Sequence, residues 1–298
     1  RELLDALLAA RLEGGSGDSW GYNFDWQGRA FFAPQGTPTI VPTAFAARAL
    51  VEAHRALGVE KYLRAARSAC DFILRDLKQS AESADEICFS YTPLDDTRVF
   101  NASLLAGETL ASVGAETGEE KLLTASVRAA RYVVRRQRAD GSWAYGAAGF
   151  QGWADNFHTA FILTSLARIS EANDEARAEF AESLRRGYEF WRESFFLADG
   201  WPKYYHDNPY PADAHSTGAA VVALVELKDS MPDALALADR IIGWTLENLR
   251  DPRRGFFYYQ RRRFYIIRTP YMRWTQAWMM YALARRLEIA ECGMRMAD

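Results

Sequence analysis

Residues 155–169, DNFHTAFILTSLARI, decide how this chain is read. From Phe157 onward the stretch is apolar on nearly every side of a helix, and a helix of that kind must be surrounded by protein. The segment before it, residues 120–138 (EKLLTASVRAARYVVRRQR), spaces Arg, Glu and Lys between apolar positions three and four residues apart. That pattern predicts a half-exposed helix. An exposed helix, a tight turn and a buried helix therefore form the unit to seek elsewhere.

The unit recurs along the whole chain. Exposed helices are predicted at about 60–78, 120–138, 176–197 and 233–250, with 1–12 supplying the first. Apolar partners follow at about 39–57, 99–114, 156–170, 214–228 and 270–289. Two registers bind the copies. Thr43, Asn101, His158, His215 and Arg273 stand 57 or 58 residues apart, in one phase of a five-fold repeat, each just ahead of an apolar run. An aromatic or glycine turn ends in Tyr22, Tyr91, Tyr145, Tyr204 and Tyr259. Such a period predicts an all-α architecture, an outer ring of helices around an inner ring. The expectation is one domain over residues 1–298 with five hairpins, or six if a segment precedes Arg1.

Composition narrows the function. A chain of 298 residues with 49% hydrophobic content can bury a large core. A net charge of −3 argues against a general nucleic-acid binder. Locally the balance differs, because Arg250, Arg253, Arg254, Arg261, Arg262, Arg263, Arg268 and Arg273 cluster in one segment, either a solvated loop or a surface for an anion. Cys70, Cys88 and Cys292 suggest no disulfide framework, and a cytoplasmic location is expected. No run approaches the ~20 apolar residues of a membrane span, and no signal-peptide pattern opens the chain. His54, His158, His206 and His215 form no HxxxH pattern, and no CxxC occurs, so no metal is expected. Nucleotide-binding and serine-hydrolase motifs are missing, so no cofactor is expected.

The candidate site follows from the registers. His158 and His215 fall near first turns of buried helices, where the helix dipole disfavours added positive charge and keeps an imidazole neutral. The structural alternative for each is a cap or a satisfied core histidine. The turns add Tyr22, Asp25, Tyr91 and Asp95 from the first repeats, and Trp153, Asp155 and Asn156 beside His158. Later turns supply Lys203, Tyr204, Tyr205, Asp213, Tyr259 and Arg268. Aromatic faces stack on sugar rings while carboxylates, amides and arginines bind hydroxyls and carboxylates, so a carbohydrate, anionic by the arginines, is the expected partner. Aspartates at helix starts are also ordinary caps, the alternative for Asp155 and Asp213.

Residues 128–146, RAARYVVRRQRADGSWAYG, resemble the glutamine-tryptophan repeat of terpenoid cyclases, which implies an α/α toroid with Gln137 capping and Trp143 wedged between neighbours. The chain also resembles toroidal polysaccharide lyases and glycosidases. By that resemblance Asn156 with Arg273 neutralises a uronate carboxylate, His158 or His215 takes the proton, and Tyr204 or Tyr205 protonates the leaving oxygen. Hydrolysis instead asks for two carboxyl groups about 5–5.5 Å or 6.5–9.5 Å apart, from Asp95, Asp155 and Asp213. An epimerase with two opposed histidines is compatible too. The acidic turn from Pro93 to Thr97, which carries Asp95 and Asp96, partly resembles the acidic signature of class II terpenoid cyclases, with Pro93 where its first aspartate belongs. In texture the chain resembles toroids of bacterial exopolysaccharide gene clusters, which leaves a non-catalytic glycan-binding reading open.

Overall fold

The computed structural model describes residues 1–28, 31–81 and 83–295, with side chains described to residue 291; Cys292 lies outside the described side chains. Ten α-helices run through the described residues: α1 (Glu2–Ala9), α2 (Ile40–Leu57), α3 (Glu60–Arg75), α4 (Phe100–Thr117), α5 (Glu120–Val134), α6 (Asn156–Glu171), α7 (Asp174–Phe195), α8 (Ala214–Glu226), α9 (Ala234–Asn248) and α10 (Ala277–Arg295). A π-helical turn, Met272–Gln276, leads into α10. Strands are two residues long. β1 (Trp26–Gln27) pairs with β2 (Phe32–Ala33), and β3 (Gln79–Ser80) pairs with β4 (Cys88–Phe89). β5 (Ala212–Asp213), β6 (Gln260–Arg261) and β7 (Ile266–Ile267) form an antiparallel sheet in that order. None of the described helices is long and apolar enough to cross a membrane.

Burial separates the helices as their patterns predict. On α3, Tyr62, Ala65, Ala66, Ala69, Phe72 and Ile73 are buried, a stripe at helical spacing, whereas α4 buries every residue from Phe100 to Ala111. Helix α8 is buried from Ser216 to Val225. Each large apolar side chain so enclosed contributes about 1.5–3 kcal/mol. Helix α10 departs from expectation. Only Met279 and Ala282 of its described side chains are buried, while Met280 and Leu287 face solvent. Its contact face is the one that meets α8, where a Cβ on Gly218 would stand 2.8 Å from the Trp278 backbone.

The chain gathers into two compact units. The first comprises residues 1–137, 144–152 and 168–181, and the second 138–143, 153–167 and 182–298. The first has its core on Leu50, Tyr62, Phe72, Phe89 and Leu110. It also buries Glu108 of α4 between Arg48 of α2 and Arg168 of α6, the latter at 2.7 Å. In the second, α8 packs against α9 and α10, and Trp143 and Trp191 are fully buried. The glycines of two turns are dictated by the chain behind them. Gly141 (φ +90°) and Gly200 (φ +91°) back onto the carbonyls of Arg186 and Arg240, each 2.5 Å from where a Cβ would sit. Only glycine tolerates both the left-handed backbone and the approach.

The tyrosine register has a backbone cause. The first N–H of each buried helix donates to the carbonyl of a turn tyrosine from the following repeat: Ile40 to Tyr91, Phe100 to Tyr145, Asn156 to Tyr204 and Ala214 to Tyr259, at 2.9–3.1 Å. Unpaired N–H groups at helix starts need such acceptors. The polar register needs correction. Thr43 is the fourth residue of α2, Asn101 the second of α4, His158 the third of α6 and His215 the second of α8, so these side chains do not share one helical position. The position that repeats is the fourth, where Thr43, Ser103, Thr159 and Thr217 bury a hydroxyl. The Cys70 and Cys88 thiols are free and buried, and burial pushes both up to about 12.

Candidate active site

The start of α6 carries the most organised polar group in the second unit. Asp155, 2% exposed, accepts the His158 backbone N–H at 2.8 Å as a helix cap, and its carboxylate also meets His158 Nδ1 at 2.9 and 2.7 Å. The Trp153 indole N–H donates to the same carboxylate at 3.2 Å. Burial works to raise the Asp155 carboxyl, but the His158 charge and these donors outweigh it, so the group sits below its ordinary value. The pairing directs Nδ1 of His158 at Asp155.

His215, on α8, lies across an aromatic ring from this pair. Its imidazole stacks on Phe157 with centroids 3.9 Å apart, and the same Phe157 ring meets His158 edge-on at 5.4 Å. Trp274 and Trp278 each stand 6.3 Å from the His215 ring, and Trp278 also meets Phe157 edge-on at 5.8 Å. Burial first, and then the charge of His158, pushes the His215 imidazole down to about 3. The group is therefore neutral, as the helix-start argument expects, although enclosure and not the dipole is the leading cause.

A second buried acid and a tyrosine pair complete the cluster. Asp213, 1% exposed, caps α8 by accepting the Ser216 N–H at 2.6 Å and takes a 3.3 Å bond from the Gln260 amide. Burial pushes its carboxyl up to about 7, and the charge of Asp155 adds to the rise. Tyr204 and Tyr205 pack edge to face at 4.9 Å, and Tyr205 bridges backbone to backbone with Asp155. Burial, followed by the charges of Asp155 and Asp213, holds the Tyr204 hydroxyl well above its ordinary value, so it stays protonated. Tyr259 is raised by burial and Asp213, and its ring meets Tyr271 at 5.1 Å. Arg268 and Arg273 are exposed, the first over Tyr258 at 5.6 Å and the second over Trp274 at 5.6 Å.

Other expectations are corrected. Asn156 is 0% exposed and its amide is committed, Nδ2 donating to the Lys203 carbonyl and Oδ1 accepting from the Trp191 indole, so it cannot reach a substrate carboxylate. The ammonium of Lys203 donates to the His206 carbonyl at 2.6 Å and braces its own loop. In the first unit, Asp95 accepts from the N–H groups of Tyr91, Thr92 and Thr97 and from both threonine hydroxyls, which makes it a turn organiser and not a catalytic carboxylate. Asp25 is exposed and accepts the Gln35 N–H. Asn101 is buried, with no partner for its Oδ1 among the described residues. Tyr22 packs with Phe24 and Trp26, and Tyr91 packs on Phe31 at 4.4 Å.

Phe157, Trp274 and Trp278 are missing from the sequence expectation. Apolar residues inside a buried helix read as core, and the only signal was the place of Phe157 beside His158. Among the described residues no group of three or more His, Cys, Asp or Glu side chains is placed to hold a metal.

No protein-family model matches the chain, and no curated protein does. Solved structures do. A sugar epimerase from a ruminal bacterium superposes with a TM-score of 0.66 at 15% identity, over 95% of this chain and 82% of that one. D-mannose isomerase gives 0.70 at 11% identity, over 97% and 80%. An unsaturated glucuronyl hydrolase specific for heparin gives 0.65 at 17%, over 85% and 76%. With exposed and buried helices alternating along the described residues, the chain has the fold of the α/α toroids.

Proposed function

We propose that this protein is a carbohydrate-active enzyme that moves a proton at a sugar carbon beside a carbonyl or carboxylate. The observation that carries the reading is the Asp155–His158 pair facing a neutral His215 across the Phe157 ring. A carboxylate on Nδ1 stabilises the imidazolium that forms when the other nitrogen takes a proton, which suits His158 for the base. A neutral imidazole donates a hydrogen bond to an oxygen gaining charge without giving up a proton, which suits His215 for the electrophile. The proton leaves carbon for His158 Nε2, and the bonding pair moves onto the neighbouring oxygen as an enediolate. Protonation of the same carbon from the opposite face gives epimerisation, and protonation of the next carbon gives isomerisation. With a uronate, whose carboxylate Arg273 or Arg268 would neutralise, the pair can instead expel the glycosidic oxygen, protonated by Tyr204 or Tyr205. The epimerase and isomerase of like fold support this class.

Asp213 favours a second reading, glycosidic hydrolysis. A carboxyl raised to about 7 suits a general acid, and a glucuronyl hydrolase shares the fold. A panel of neutral sugars and polyuronates in deuterated water separates the two. Deuterium at a sugar carbon, or the absorbance of an unsaturated uronate, supports proton transfer; new reducing ends with neither support hydrolysis.

A further inference from the structure

The strand that leads into α8 is hydrogen-bonded to a strongly basic arm. β5 pairs with β6, Ala212 opposite Arg261 and Asp213 opposite Gln260, and β6 turns back on β7 through Arg262–Tyr265. Between Asp251 and Glu288 the chain has nine arginines and no acidic residue. Arg261 is spent on anchoring, with Nη1 donating to Asn248 at 2.7 Å and the guanidinium 5.2 Å from the Trp201 ring. Arg262, Arg263 and Arg268 are exposed. Beside them Phe264 is 84% exposed and Tyr265 61%, a large aromatic surface on a hairpin tip. The Arg263 guanidinium lies over the Phe264 ring, 5.2 Å from its centroid, so the tip presents a cation and an aromatic face together.

We propose that the β6–β7 hairpin is a binding arm for an acidic polysaccharide, its Arg262, Arg263 and Arg268 holding carboxylates while Phe264 and Tyr265 stack on sugar rings. Arginine forks match carboxylates, and aromatic faces match the apolar faces of pyranose rings. Position favours a glycan over a lipid surface. The arm is bonded through β5 to the residues that open α8, and Arg262 already acts on Asp213 and Tyr259. A polymer lying along it is led to His215. That this polymer is the substrate rests on the proton-transfer reading; its binding does not.

The test is titration of the full chain with polygalacturonate, with neutral dextran, and with phosphatidylcholine vesicles containing phosphatidylglycerol. Polygalacturonate binds in a salt-sensitive manner, dextran does not, and the R262A/R263A protein loses about tenfold or more in affinity. F264S, a change at an exposed tip, weakens binding severalfold with the thermal melt unchanged. Equal polygalacturonate binding by wild type and both variants overturns the arm, as does binding to vesicles without binding to polygalacturonate. Binding retained without deuterium exchange removes the reaction and keeps the arm. Exchange without binding does the reverse.

Discussion

Asp155 holds His158 twice, by the backbone N–H at 2.8 Å and by Nδ1 at 2.7 Å. One carboxylate thus starts helix α6 and sets the imidazole's orientation. Asp155→Asn separates the two duties. An amide oxygen still caps the helix, so the melting temperature changes little. The tautomer of His158 is no longer specified, and turnover on the responsive sugar falls by about 10²–10⁴-fold. A large loss of stability with full turnover in the folded fraction contradicts this.

His215 and Asp213 make stability depend on pH with opposite signs. The His215 imidazole, down at about 3 against an ordinary 6.5, binds fewer protons folded than unfolded between those values, so its contribution makes stability rise with pH across that window. The Asp213 carboxyl, up at about 7 against 3.8, binds more protons folded, so its contribution makes stability fall as pH climbs from 3.8 to 7. In the wild type the two slopes offset each other. Denaturant melts from pH 4 to 7 on Asp213→Asn expose a rising slope, and on His215→Phe a falling one.

Gly218 lets α8 and α10 touch. Alanine normally favours a helix interior by about 1 kcal/mol over glycine, yet here its Cβ would meet the Trp278 backbone at 2.8 Å. Gly218→Ala is therefore expected to destabilise by about 1–3 kcal/mol and to displace Trp278 from Phe157 and His215. Thermal melts and tryptophan fluorescence check both effects; a stabilised variant contradicts them.

Glu108 is enclosed between Arg48 and Arg168. Glu108→Ala removes the buried carboxylate between them and costs about 3–5 kcal/mol, read by chemical denaturation. Replacing all three residues with apolar ones of like volume should recover most of that loss.

The alternation of helices was legible because burial on one side or all sides writes itself into spacing. Helix α3 begins at Glu60 and α5 at Glu120, where the polar periodicity places them. The turn tyrosines were legible as a period, but their reason, a carbonyl accepting from the preceding repeat's buried helix, is a backbone matter that side-chain identity does not encode. The polar register misled for the same kind of reason. Spacings of 57 and 58 fit Asn101, His158 and His215, yet the position fixed by packing is the hydroxyl of Ser103, Thr159 and Thr217. Asn156 read as a ligand because sequence does not reveal that Trp191 and Lys203 consume its amide. The Asp155–His158 contact was within reach, since three residues along a helix start bring a cap onto its own first turn.

The central claim is that His158, oriented by Asp155, takes a proton from carbon beside a neutral His215. Solvent deuterium entering a sugar carbon, followed by nuclear magnetic resonance for the wild type, His158→Ala and His215→Ala, tests it most directly. The account predicts incorporation by the wild type and a fall of about 10²-fold or more in each variant. Undiminished incorporation in both folded variants would contradict it.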